Sequence, residues 1–74
     1  MKIDIEYELT GPLAHAATKK ALVIAVAAAG SLSDATQRIN KINGLTAYRG
    51  GSHVAVHGSA NGQLIGERLA IITE

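Results

Sequence analysis

The chain has 74 residues, 47% hydrophobic, 18% charged and 3% aromatic, with a formal net charge of +1. This length bounds it to one domain, residues 1–74, and the composition excludes a disordered chain. There is no cysteine, which excludes disulfides and thiolate metal sites, and so small a net charge is no argument for nucleic acid as a partner.

The charge is unevenly spread: −2 over residues 1–10, +4 over residues 11–58 and −1 over residues 59–74. The basic middle reads first as solvated helix surface. The longest apolar run, residues 21–29, falls far short of the ~20 residues that span a bilayer. The first residues are acidic where an export signal is basic, so we expect a cytoplasmic protein without a membrane segment.

Residues 2–9 alternate. Ile3, Ile5, Tyr7 and Leu9 point one way, and Lys2, Asp4, Glu6 and Glu8 the other, which predicts a half-buried strand with an acidic outer face. Thr10-Gly11-Pro12 breaks it. Pro12 suits the first turn of a helix, and the alanine-rich stretch up to Gly30 predicts a helix over residues 12–29. The alternative is a strand over residues 20–27, because Leu22, Val23, Ile24 and Val26 are compatible with one.

Ser31 or Ser33 can cap a second helix, with Asp34 favourable near its positive end. Leu32, Ala35, Ile39 and Ile42 form its apolar stripe, and Asn43-Gly44 stops it. Gly50-Gly51 and Asn61-Gly62 are hairpin signals, so the last thirty residues predict a three-stranded meander. Taken literally, the turns pair Tyr48 with His53, Ala47 with Val54, Val56 with Glu67 and Val54 with Leu69. One face then carries Leu45, Ala47, Val54, Val56, Ile65, Leu69 and Ile71. The other carries Thr46, Tyr48, His53, Ala55, His57, Leu64, Arg68, Ala70 and Ile72. Glu67 is the exception on the apolar face and is expected at the rim, near Arg49. The expected fold is α+β in two layers: an antiparallel sheet of three to four strands with two helices on one face, in the order β-α-α-β-β-β.

Residues able to carry chemistry are few. His53 and His57 share a strand face but stand ~13 Å apart at ~3.3 Å per residue, too far for one metal ion, and no metal or cofactor is expected. His53 beside Tyr48 and Arg68 could act as a general base on a phosphodiester; as an exposed strand histidine it carries no catalysis. No phosphate-binding glycine motif occurs. Two surfaces suit a partner: the sheet face with Tyr48, Arg49, His53, His57 and Arg68, and the acidic stripe of Asp4, Glu6 and Glu8. The stripe equally suits protection of a sheet edge.

The opening M-K-I-D-I-E-Y-E-L-T-G-P-L, residues 1–13, resembles the first strand and T-x-P-L helix start of the DinI-like family of small DNA-damage-inducible and phage antirepressor proteins. H-V-A-V-H-G-S-A-N-G-Q-L, residues 53–64, resembles that family's hairpin. Residues 31–43 are inserted relative to it, and the family's acidic C-terminal helix, implicated in contacting the recombinase filament, has no counterpart before Glu74. N-G-L-T-A-Y-R-G-G-S-H, residues 43–53, resembles the G-S-H region of HicA-like RNA-cleaving toxins, which implies a catalytic role for His53.

We therefore expect a non-enzymatic module of phage or mobile-element type that binds a host or phage protein to regulate or inhibit it. The alternative is an RNA-binding or RNA-cleaving domain using His53. If residues 21–29 are helical, they are apolar all round and need cover on every side, which predicts a homodimer.

Overall fold

A computed structural model describes residues 1–60 and 63–74 of the chain. The elements, in chain order, are β1 (Lys2–Ile5), a 3-10 turn (Pro12–Ala14), α1 (Ala16–Ala28), α2 (Leu32–Asn40), β2 (Leu45–Arg49), β3 (His53–Ala60) and β4 (Gln63–Thr73). The four strands form one antiparallel sheet in the order β1-β4-β3-β2, so the first strand lies beside the last. The expected α+β class and element order hold.

The core is wholly aliphatic. Leu13 from the 3-10 turn, Leu22 and Val26 from α1, and Leu32, Ala35 and Ile39 from α2 meet Leu45, Ala47, Val54, Val56, Ala70 and Ile72 of the sheet. Burying a side chain of this size contributes about 1.5–3 kcal/mol, so a few such residues anchor the molecule. Leu13 is only 2% exposed and pins the 3-10 turn against the sheet.

The first helix differs from its expected span. Residues 12–29 are not one helix: Ala14 and His15 donate back to Gly11 and Pro12, closing a single 3-10 turn, and His15 is extended before α1 begins. Residues 20–27 are helical, which removes the strand alternative. Gly30 does not act as a left-handed stop. Its N–H donates to Asp34 Oδ2 at 3.0 Å, while Ser31 Oγ accepts from the Asp34 N–H at 3.0 Å to cap α2. Gly44, with φ of 92°, is the left-handed residue that follows α2.

Both expected registers shift. Arg49 pairs with Val54 and Tyr48 with Ala55, and the Gly50 N–H donates to His53 O at 2.8 Å. The turn thus falls on Gly51-Ser52, one residue later than Gly50-Gly51. The two-residue register change preserves which side chains face the helices. Gly50 has its own reason: a Cβ there would collide with the His53 ring. The Asn61-Gly62 turn lies outside the described residues, but Ala60 pairs with Gln63 and Ser59 with Leu64, as that turn requires.

Further along β4 the register breaks on both sides of His57, which pairs with Arg68, whereas Val56 pairs with Ala70 and Val54 with Ile72. Gly66, Glu67 and Leu69 are the residues that β4 carries in excess. Gly66, at φ of 71°, supplies the left-handed conformation such a bulge uses. Three extra residues reverse the faces. Ala70 and Ile72 point into the core instead of outward, and Ile71 points outward, against the expected pattern. The bulge also shortens β1. Leu69 O accepts from both the Glu6 N–H (2.8 Å) and the Tyr7 N–H (3.1 Å), so the ladder ends there and residues 6–9 are not strand, although their alternation continues.

Candidate functional site

The helices cover one side of the sheet and leave the other open. The open side carries a row that runs from β2 across β3 and β4 to the chain just past β1. Tyr48 on β2 meets His57 on β3 edge to face, with ring centroids 6.4 Å apart. His57 lies opposite Arg68 on β4. Arg68 grips Glu6, just past β1, through two hydrogen bonds, Nε to Oε1 at 2.5 Å and Nη2 to Oε2 at 2.8 Å. This fork-to-fork geometry holds both charges in fixed positions. The hydrogen bonds from Arg68 keep the Glu6 carboxyl below its usual range despite its exposure. Among the described residues, His57 Nδ1 is buried without a hydrogen-bond partner.

Four of the sequence-predicted residues, Glu6, Tyr48, His57 and Arg68, thus come together. The others do not. His53 shares the open side but sits at the far end of β3, paired with Thr73 and packed on Gly50. No ion pair to it forms among the described residues. Asp4 lies opposite Ile71, two residues before Glu6. Glu8 leaves the stripe and pairs with Lys19 of α1 at 2.8 Å, so the acids do not form one continuous surface. Arg49 belongs to the helix side: its guanidinium donates to Ser33 Oγ at 2.5 Å, because β2 alternates and Arg49 shares a face with Ala47. Glu67 is accordingly nowhere near Arg49; it stands in the bulge beside Arg68.

Next to the row lies a groove of about 540 Å³, which sequence reasoning missed. Its walls are Tyr7, Thr10, Gly11 and Pro12 on one side and Gly58, Ile65, Glu67 and Leu69 on the other. It is mostly apolar, and two large side chains that line it are exposed: Tyr7 is 45% exposed and Ile65 49%. A shallower depression on the open side, bounded by Glu6, Ala55, His57 and Arg68, shares Tyr7 and Glu67 with it. The signal for the groove was the isolated Gly66 inside a strand pattern, a mark of a bulge. The bulge lifts Gly66 and Glu67 out of register, next to the paired Ile65, and opens the space that Pro12 faces.

The fold and this surface define a two-layer α+β domain with an uncovered sheet face and an apolar groove at one end. Among the described residues no cluster of three or more metal-binding side chains occurs, and no helix is long and apolar enough to cross a membrane. Comparison of the chain with family models, curated proteins and solved structures finds no match.

Proposed function

We propose that this chain is a small cytoplasmic, non-enzymatic module that binds another protein and regulates or inhibits it, and that it works as a homodimer. The observation that carries the reading is the groove beside the Tyr48–His57–Arg68–Glu6 row. Exposed apolar side chains cluster there next to tyrosines and a fixed arginine. Contiguous exposed apolar surface marks interaction sites, and tyrosine and arginine are the residues that dominate binding energy at them. Residues 1–13 and 53–64, the segments that resemble the DinI-like family, contribute the facing walls of the groove through Tyr7, Thr10, Gly11, Pro12 and Gly58, which supports a regulatory partner of the phage or mobile-element kind. The partner is a host or phage protein. Self-association is part of the reading because α1 buries only Leu22 and Val26 and leaves Val23 43% exposed.

The test is capture of partners from a nuclease-treated lysate of the source cells, using the parent chain and a Tyr7→Asp, Ile65→Asp variant of intact fold. We expect a protein retained by the parent and lost by the variant. Equal retention by both removes the groove from the reading, and retention that depends on omitting nuclease turns it toward RNA.

A further inference from the structure

The sheet has two edges, and the chain treats them differently. On β2 the outward-facing backbone of Ala47 is already bonded: its N–H donates to Asn40 Oδ1 at 2.8 Å and its carbonyl accepts from Asn40 Nδ2 at 3.1 Å. The side-chain amide of α2 takes the place a neighbouring strand would occupy. The Leu45 N–H next to it donates to Ile42 O at 3.2 Å.

On β1 nothing comparable is found among the described residues. The Glu6 N–H points at Leu69 O, so by the alternation of an antiparallel ladder Asp4 and Lys2 bond to β4, while Ile3 and Ile5 turn their N–H and C=O groups outward. An open row of this kind is a template for another strand. The side chains then choose the strand. Two copies of β1 running antiparallel about a two-fold axis can centre on Ile3, which sets Lys2 of each copy opposite Asp4 of the other. Centred on Asp4, the pairing would place two carboxylates face to face. Centred on Ile5, it would oppose Asp4 and Glu6. Opposite charges across a strand pair stabilise it and like charges oppose it, so the register centred on Ile3 is selected.

We infer that the homodimer of the preceding reading forms by antiparallel pairing of β1 with β1 of a second copy, centred on Ile3, to give one continuous eight-stranded sheet. Helix positions agree with this. α2 packs on β2 and β3, and α1 lies beside it on the β1 side, tied to the chain after β1 by Lys19 and Glu8. The two-fold axis therefore brings the Lys19 flank of α1, which carries the exposed Val23, toward its counterpart. The open faces of the two copies join, and each groove stays free for the partner.

Sedimentation equilibrium over a range of concentrations tests this, with circular dichroism confirming the fold of each variant. The parent is expected to approach twice 7.6 kDa. Lys2→Asp alone and Asp4→Lys alone should each weaken the dimer roughly tenfold, because two symmetry-related pairs turn from attractive to repulsive. The double swap Lys2→Asp, Asp4→Lys should restore it. A synthetic chain with N-methylated Ile3 should be monomeric, since among the described residues that N–H serves no bond within the chain. Ile24→Lys should leave the dimer intact. A parent that stays at 7.6 kDa throughout, single charge changes without effect, a double swap without rescue, or dissociation by Ile24→Lys would each overturn the inference. Partner capture by a monomeric parent would leave the protein-binding reading standing while this one fails.

Discussion

Asn40 bonds both backbone groups of Ala47 with one side chain, accepting at 2.8 Å and donating at 3.1 Å. The last residue of α2 thereby fixes β2 to the helical layer and closes that edge of the sheet to any other strand.

Asn40→Ala should remove both bonds at once. Ala47 is 5% exposed, so its backbone groups would be left poorly solvated, and we expect a loss of about 1–3 kcal/mol. Chemical denaturation reads this as a lower midpoint at unchanged slope. An unaltered midpoint would show that water replaces the amide without cost.

Stability should depend on acid through Glu6. Its carboxyl is held below the ordinary value of 4.5 by the Arg68 hydrogen bonds and charge, so the folded state binds the proton less readily than the unfolded state. The contribution is present above about pH 4.5 and is lost as pH falls through the lowered folded value. Asp34 behaves alike, its ordinary 3.8 lowered first by the Gly30 N–H and then by Arg38. Denaturation midpoints recorded from pH 6 down to pH 3 should fall less steeply for Glu6→Gln than for the parent. Parallel curves would mean the pair persists unchanged in the unfolded chain.

Two glycine substitutions should differ in sign. Gly66 has a φ of 71° and open space where a Cβ would stand, so Gly66→Ala carries backbone strain alone, roughly 1–2 kcal/mol. Gly30 has equal space without the left-handed conformation, and Gly30→Ala should be neutral or slightly stabilising. Thermal unfolding of the two variants beside the parent measures both. Equal effects would contradict the role given to the bulge.

Bulk RNA should survive incubation with the purified chain, and a His53→Ala variant should behave identically. His53 sits at the sheet end against Gly50, away from the Arg68–Glu6 pair, and general acid–base cleavage requires a second group in reach of the same phosphodiester. Cleavage by the parent that the variant lacks would sink the non-enzymatic reading and support the HicA-like one.

Local pattern alone determined a good deal here. Period-two alternation over residues 2–5 and in β2 and β3, a Ser31 cap with an apolar stripe in α2, and glycine-marked turns specify elements whose signals lie within a few residues of each other. Hence the two layers and the β-α-α-β-β-β order could be read directly, as could the shared face of Tyr48 and His57. Faces on β2 and β3 survived even a misplaced turn, because a two-residue shift keeps parity.

Other features depend on where distant segments meet. Leu69 is shared by Glu6 and Tyr7, far apart from it along the chain, and that sharing ends β1 at Ile5 despite the alternation beyond it. The three extra residues of β4 reverse the faces of Ala70, Ile71 and Ile72, since each inserted residue turns every later side chain over; no periodicity within β4 records how many are inserted. Arg49 turns to Ser33, Glu8 to Lys19 and Arg68 to Glu6 because packing sets which exposed charges come within reach. The groove at Tyr7, Pro12 and Ile65 exists only once the bulge and the 3-10 turn face each other, so tertiary structure alone decided the surface on which the proposed function rests.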